Sequence, residues 1–73
     1  MGNVYKKIEL VGSSIDGVDD AIKSAIGKAS QTIRNIDWFE VKEIRGWVRE
    51  GQAQHFQVVL QVGFRLDDDQ PVA

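Results

Sequence analysis

The chain has 73 residues, a formal net charge of −2 and no cysteine. A domain of this length buries only about 60% of the surface that its unfolded chain exposes, so its own core is marginal. Such domains usually gain stability from disulfides, a metal or partner subunits. The lack of cysteine excludes disulfides and thiolate metal sites, and a single histidine, His55, excludes a histidine-rich metal centre. We therefore predict no metal site, and oligomerisation remains as the source of stability.

Positive and negative residues are interspersed along the chain, with 9 Lys and Arg against 11 Asp and Glu. This balance argues against general nucleic-acid binding as the main role. The amino terminus has no apolar run behind its charged residues, so no signal peptide is expected. No apolar stretch approaches the ~20 residues that a membrane span requires. We expect a cytoplasmic protein without nucleic-acid or membrane partners.

The first predicted element is a strand at residues 4–11, which are rich in β-branched and aromatic types. The segment Gly12-Ser13-Ser14 that follows is typical of a turn. A helical pattern comes next, because apolar residues recur at steps of three and four. The members of this apolar stripe are Val18, Ile22, Ala25, Ile26, Ala29, Ile33 and Ile36.

The residues around this helix suit its dipole and its packing. Ser14 or Asp16 is the predicted amino-terminal cap. Arg34 is expected near the carboxyl end of the helix, where a cation is favoured. The small side chains of Ala25 and Ala29 would let the helix lie close against a sheet.

Two further strands are predicted at residues 36–48 and 55–66, joined by a turn at Glu50-Gly51-Gln52. The alternation in the last strand indicates one face on a core and the other on a wetter surface. We predict an α+β fold of order β-α-β-β, forming a single domain over residues 1–73 with a disordered tail at residues 67–73. The third strand should lie in the middle of an antiparallel sheet, and the helix should connect the first two strands. One helix can cover only one face of this sheet, which leaves the other face for water or another subunit.

Side-chain parity predicts what lies on the uncovered face. In the last strand the even-numbered apolar residues should face the helix, so Gln57 points away from it. In the preceding strand Phe39 and Val41 should face the helix, which places Trp38 on the uncovered side. The apolar pattern then changes parity, which predicts a β-bulge at residues 42–43. The residues expected to turn toward the uncovered face beyond the bulge, near Trp38, are Glu43, Arg45 and Trp47.

Each polar or aromatic candidate on this face has two interpretations. Trp38 is either the anchor of a subunit interface or a platform on which a flat ligand stacks. Gln57 is either a solvated strand residue or an amide that exchanges hydrogen bonds with a planar heterocycle beside the indole. Arg45 and Arg65 are either salt-bridged surface groups or contacts for phosphate or an aromatic ring.

The sequence contains no recognisable catalytic constellation. The segment Gly12–Gly17 matches neither the phosphate-loop nor the dinucleotide fingerprint, and no carboxylate lies in an apolar context that would tune it as an acid or base. We therefore predict that the chain is not an enzyme. We interpret His55 as a plain hairpin residue and Trp47 as a cover for the hairpin edge.

Several motifs of the chain resemble the dodecin family over residues 3–68. They are the opening strand from Val4 to Ser14, Trp38-Phe39-Glu40-Val41, Ile44-Arg45-Gly46, His55-Phe56-Gln57-Val58 and Val62-Gly63-Phe64-Arg65-Leu66. The resemblance implies a sheet that partly wraps the helix, and twelve copies assembled from trimers into a hollow sphere. It also implies that riboflavin, FMN or FAD is held as stacked pairs between the tryptophans of symmetry-related subunits. The implied function is storage and buffering of flavin, with quenching and without turnover.

The resemblance also assigns roles to individual residues. Trp38 matches the stacking tryptophan, Gln57 matches the glutamine that hydrogen-bonds the flavin edge, and Arg45 matches an arginine near the flavin. Arg65 matches an arginine that is linked to coenzyme A binding in some members. Trp47 departs from the family pattern, where smaller or polar residues are common, and this leaves the choice of ligand open.

Two rival functions remain open from the sequence. The first is a carrier of coenzyme A or another nucleotide, held through Arg65 and lysines such as Lys6. The second is a cage-forming structural protein whose tryptophans only bury interface.

Overall fold

The computed structural model describes residues 3–67 and contains one helix and three strands. The elements are β1 (Tyr5–Ser14), α1 (Val18–Ala29), β2 (Ile36–Arg49) and β3 (Gln52–Arg65). The strands form one antiparallel sheet in the order β1-β3-β2. The predicted β-α-β-β fold with the third strand in the middle is therefore confirmed. Within residues 3–67, no helix is long and apolar enough to cross a membrane.

The core lies between α1 and the middle strand. Val58, Leu60 and Val62 of β3 are completely buried, and Ala21 of α1 packs with them in the same cluster. These β3 residues are the even-numbered ones, so the predicted parity of the strand is confirmed. At Gly12 of β1 the helix comes so close that a Cβ atom would overlap the carbonyl oxygen of Ala21. Small residues on both sides thus let the helix lie against the sheet.

The amino-terminal end of α1 differs from the sequence prediction. The N-cap residue is Gly17, and no side chain caps the helix there, so the predicted cap by Ser14 or Asp16 is wrong. The Ser14 hydroxyl instead accepts a hydrogen bond from the Asp16 backbone N–H at 2.9 Å and donates one to the Asp20 carboxylate at 2.7 Å. Ser14 therefore ties the end of β1 to the first turn of the helix from outside the helix.

The carboxyl-terminal end of α1 also differs, because the helix stops at Ala29. Ile33 and Ile36 continue the apolar spacing but lie beyond the helix. Arg34 is likewise outside it and contacts the carboxylate of Asp67 at 2.8 Å. Asn35 donates a hydrogen bond to the same carboxylate, also at 2.8 Å. Asp67, which was predicted to belong to the disordered tail, is thus anchored to the connection between α1 and β2. Residues 68–73 of the predicted tail lie outside the described residues.

The helix covers less of the sheet than expected. It packs against β1 and β3, whereas Phe39, Val41 and Ile44 on the helix side of β2 remain 47%, 42% and 57% exposed. A helix about 10 Å wide spans only about two strands spaced roughly 4.8 Å apart, which explains this result. Phe39 and Val41 lie on the helix side of β2, as the parity predicted. Because α1 leaves about half of each side chain exposed, β2 presents an apolar surface that α1 does not cover.

Three irregularities interrupt the pairing of β2 with β3. One lies between Val41 and Glu43 and confirms the predicted bulge at residues 42–43. The other two, between Ile36 and Trp38 and between Arg45 and Trp47, were not predicted. Bulges of this kind change the direction in which neighbouring side chains point.

The β2–β3 turn is tighter than the sequence predicted. It consists of Glu50 and Gly51, with Gln52 already in β3. Both turn residues have positive φ, at 53° and 77°, as a two-residue type I′ hairpin requires.

Candidate functional site

The sheet face opposite α1 is called the open face here. It carries every second residue of β1 and β3. The β2 residues that pair with these β3 positions lie on the same face, because the bulges in β2 shift the alternation. Its main members are Tyr5, Lys7, Glu9, Val11 and Ser13 of β1, Gln57, Val59, Gln61, Gly63 and Arg65 of β3, and Trp38, Glu40, Glu43 and Arg45 of β2.

Trp38 lies over the backbone of the middle strand. Its partner in the pairing of β2 with β3 is Gly63, and a Cβ atom at Gly63 would overlap atoms of the six-membered ring of the indole. The ring therefore occupies the space that any other side chain at this position would fill. Trp38 nevertheless remains 37% exposed. The arrangement provides a large aromatic surface that is supported from below and accessible from outside.

Neighbouring side chains hold the Trp38 ring in place. Tyr5 packs edge-on against it, with ring centroids 5.1 Å apart and an angle of 64° between the planes. The indole Nε1–H donates a hydrogen bond to the Glu40 carboxylate at 3.0 Å, and Lys7 forms an ion pair with the same carboxylate at 3.0 Å. The hydrogen bond from Trp38 and the contact with Lys7 lower the pKa of Glu40 below its ordinary value. Glu40 is therefore a charged acceptor that orients the indole.

A second polar cluster lies further along the open face. Arg45 donates a hydrogen bond to Gln57 Oε1 at 2.6 Å, and Gln57 Nε2 donates to the Ser13 hydroxyl at 3.3 Å. Arg45 also forms an ion pair with Glu43. These contacts cross all three strands and fix the orientation of the Gln57 amide, with its oxygen toward Arg45 and its nitrogen toward Ser13.

The structure brings Arg45 and Gln57 together but keeps both away from Trp38 of the same chain. Trp38 pairs with Gly63, whereas Arg45 pairs with Gln57. These two positions of β3 are six residues apart, which corresponds to about 20 Å of extended strand. The expectation that Arg45, Trp47 and Gln57 lie near Trp38 is therefore wrong within one chain, since Trp47 pairs with Gln54, further still from Gly63. Residues on the same face of a sheet can lie at opposite ends of it.

Arg65 and Lys6 are not brought together on one face. Arg65 pairs with Tyr5, and Lys6 pairs with Phe64, so successive positions place the two cations on opposite sides of the sheet. The Arg65 guanidinium lies 4.0 Å from the Asp67 carboxylate.

His55 has a position that the sequence did not indicate. It lies in the irregular segment opposite Gly46, where its φ is 54°. Its imidazole packs edge-on against Trp47, with ring centroids 5.7 Å apart and an angle of 76°. His55 is therefore an exposed residue of the β2–β3 hairpin, as interpreted, and it has in addition a ring contact that the sequence did not indicate. No residue-type signal reveals this pair, because the irregular pairing between β2 and β3 creates it.

Gly63, Glu40 and Tyr5 were also not assigned to the site from the sequence. One signal was available for Gly63, since a glycine inside a strand often marks the close approach of another group. For Tyr5 and Glu40 the decisive information is cross-strand pairing, which the chain order alone does not provide.

The family of the chain follows from comparison with known proteins. The family model described as Dodecin matches residues 4–67, which include every element described above. The chain belongs to the dodecin family. A dodecin of Thermus thermophilus is 56% identical over 68 residues, covering 93% of this chain and 99% of that protein.

Solved dodecin structures have the same fold as this chain. The dodecin from Streptomyces davaonensis superimposes with a TM-score of 0.85 at 50% identity, covering 93% of this chain and all of that one. The tt0972 protein from Thermus thermophilus gives a TM-score of 0.85 at 55% identity, covering 92% of this chain and 98% of that one.

Proposed function

We propose that this dodecin is a non-catalytic cytoplasmic store for flavins, in which isoalloxazine rings stack on Trp38. The observation that carries the proposal is the exposed indole that lies over Gly63 and is held by Tyr5 and Glu40. A fixed aromatic surface loses little freedom when a flat ring stacks on it, so binding costs less. An indole in contact with a flavin can also quench its excited state by rapid electron transfer, which suits storage and protection from light.

The flavin site would be shared between subunits. Gln57 and Arg45 lie about 20 Å along β3 from Trp38 of the same chain, which is too far for one isoalloxazine ring to reach. In the proposed arrangement the ring stacks on Trp38 of one copy, and Gln57 of another copy hydrogen-bonds its polar edge. Each ring pair would lie between two symmetry-related tryptophans.

The uncovered apolar surface of β2 supports assembly. Phe39, Val41 and Ile44 are about half exposed in the isolated chain, and contiguous exposed apolar surface is typical of an interaction site. The completely buried core comprises few residues, so association would add the apolar burial that a small domain lacks. We propose twelve copies built from trimers, with a mass of about 98 kDa for twelve chains of 8.2 kDa.

Arg45 would orient the Gln57 amide. The amide oxygen accepts the hydrogen bond from Arg45 at 2.6 Å, which leaves a second N–H of Nε2 for a carbonyl oxygen of the flavin. The guanidinium itself can stack on an aromatic ring. Arg45 would therefore contribute both by orienting Gln57 and by closing over the bound ring.

Coenzyme A has less support as the main cargo. The two cations assigned to it, Arg65 and Lys6, lie on opposite sides of the sheet, and Arg65 faces the carboxylate of Asp67. We retain Arg65 as a phosphate contact only in an assembly that supplies further cations around it.

Titration of riboflavin fluorescence tests the proposal. The parent protein should quench added riboflavin with saturation, and Trp38→Ala should remove most of the affinity, because two aromatic faces act on each ring pair. Trp47→Phe is the matched control and should retain binding. A parent protein that assembles to about 98 kDa (twelve chains of 8.2 kDa) yet leaves riboflavin fluorescent would instead indicate a purely structural cage. Undiminished binding by Trp38→Ala would refute the assigned site.

A further inference from the structure

A cleft at the hairpin end of the sheet is separate from Trp38. We call it the Trp47 cleft. Its volume is about 460 Å³, which lies within the range of small-molecule sites. Its main lining residues are Ser13, Trp47, Arg49, Gln54, His55 and Gln57. Only Ser13 and Gln57 belong to the polar cluster that includes Arg45, so most of this wall has no role in the function proposed above.

The backbone beside the Trp47 cleft adopts an unusual conformation. His55 has a φ of 54° inside a strand, and positive φ is uncommon for residues other than glycine. The pairing irregularity between Arg45 and Trp47 accommodates it, with two residues of β3 facing Gly46 alone. Bulges and positive φ values occur preferentially beside functional sites, where they redirect side chains. Here the result is an imidazole packed edge-on against the Trp47 ring at 5.7 Å.

The contact with His55 leaves much of the surface of Trp47 free. Trp47 is 51% exposed although it packs against the imidazole. An accessible indole is suited to stacking with any nucleobase, because every base presents a π-face. Trp47 therefore provides the stacking surface that a nucleobase site requires.

Polar groups around the ring indicate which nucleotide the cleft would take. Gln54 lines it with an amide, and a glutamine amide can pair with the N6 and N7 atoms of adenine through two hydrogen bonds. Arg49 also lines it and forms no ion pair with any group of residues 3–67. An unpaired guanidinium beside an aromatic ring suits a phosphate group.

We propose that the Trp47 cleft binds an adenine nucleotide, with the base stacked on Trp47, its edge paired with Gln54 and its phosphate at Arg49. The cleft shares Gln57 with the flavin site proposed above, whereas Trp47, Gln54 and Arg49 have no flavin contact assigned to them. When the bound flavin is FAD, its adenosine half is of the same chemical class, so the cleft would then favour FAD over riboflavin.

Titration with AMP tests the inference directly. In a Trp38→Phe variant, Trp47 is the only tryptophan, so AMP should quench its emission with saturation. Equilibrium dialysis of labelled AMP should show a loss of about tenfold in Trp47→Thr, from the magnitude of base–aromatic stacking. Arg49→Gln should weaken AMP and leave adenosine unchanged, which isolates the phosphate contact. Gln54→Leu should weaken both ligands and provides a second test if Trp47→Thr fails to assemble.

The outcome is distinguishable from that of the flavin proposal. Riboflavin lacks adenine, so Trp47→Thr should bind riboflavin like the parent protein. Absence of saturable AMP quenching at millimolar concentration, or equal AMP binding by the parent and Gln54→Leu, would overturn the adenine site. If the parent protein failed to quench riboflavin fluorescence, only the function proposed at Trp38 would be overturned.

Discussion

Trp38 and Gly63 face each other across β2 and β3, and the indole occupies the space above the glycine where a Cβ atom would lie. Tyr5 contacts the ring edge-on, and Glu40 accepts its N–H. The aromatic surface is thus determined by its neighbours as much as by the tryptophan itself.

Gly63→Ala should lower riboflavin affinity although it leaves every flavin-contacting side chain unchanged. The added methyl group would overlap the Trp38 ring, so the indole must tilt or move away from the strand. We expect a loss of about tenfold, since a misoriented aromatic pair loses on the order of 1 kcal/mol. Riboflavin titration gives the affinity, and Trp38 emission in a Trp47→Phe background reports the displaced ring.

Gly27→Ala is the matched control for this substitution. Gly27 lies in α1, where a Cβ atom meets nothing within 4 Å, and alanine should raise the free energy of unfolding by up to about 1 kcal/mol. Its riboflavin affinity should equal that of the parent protein. If Gly63→Ala bound riboflavin as tightly as the parent protein, the orientation of the Trp38 ring would not depend on the glycine beneath it.

The orientation of Trp38 should depend on pH through Glu40. The hydrogen bond from Trp38 and the ion pair with Lys7 lower the pKa of Glu40, so the charged carboxylate favours the observed arrangement. The stabilisation by the charged Glu40 is complete above the ordinary carboxyl pKa, and it is lost as the pH falls through the lowered pKa. Trp38 emission in a Trp47→Phe background should therefore change only as the pH falls below the ordinary carboxyl pKa of glutamate.

Glu40→Gln separates charge from hydrogen bonding in this contact. The amide oxygen can still accept the indole N–H, but its charge no longer titrates. The acid-induced change in Trp38 emission should become smaller in this variant. An unchanged pH profile would assign the transition to another group.

Gly12→Ala should destabilise the fold itself. A Cβ atom at Gly12 would overlap the Ala21 carbonyl oxygen and lie 3.0 Å from the Ala25 Cβ, so the helix must move away from β1. We expect a loss of about 1–3 kcal/mol in the free energy of unfolding, as for other overpacked positions. Chemical denaturation measures it, with Gly27→Ala as the control. A stability equal to that of the control would show that α1 can shift at no cost.

The Arg45–Gln57 hydrogen bond should appear as coupling in flavin binding. A double-mutant cycle with Arg45→Ala and Gln57→Ala should give an interaction energy of about 1 kcal/mol, since the two side chains act as one unit. The double mutant should then lose less riboflavin affinity than the two single losses combined. Strictly additive losses would show that Arg45 acts on the ligand independently of Gln57.

The sequence by itself determined the order of elements, the parity of β3 and the bulge at residues 42–43. These features depend on local spacing, since side chains alternate along a strand and apolar residues repeat along a helix. The helix limits were less predictable. Ile33 and Ile36 continue the apolar spacing, but the chain leaves the helix at Ala29 to begin β2.

Only the tertiary structure decided how the candidate residues are grouped. Alternation placed Trp38 and Gln57 on one face, but strand pairing set them about 20 Å apart and joined Gln57 to Arg45 instead. Pairing also placed Gly63 under Trp38 and His55 against Trp47. The physical reason is that the side-chain pattern of a single strand specifies a face, whereas the position along that face depends on register and bulges between strands distant in sequence.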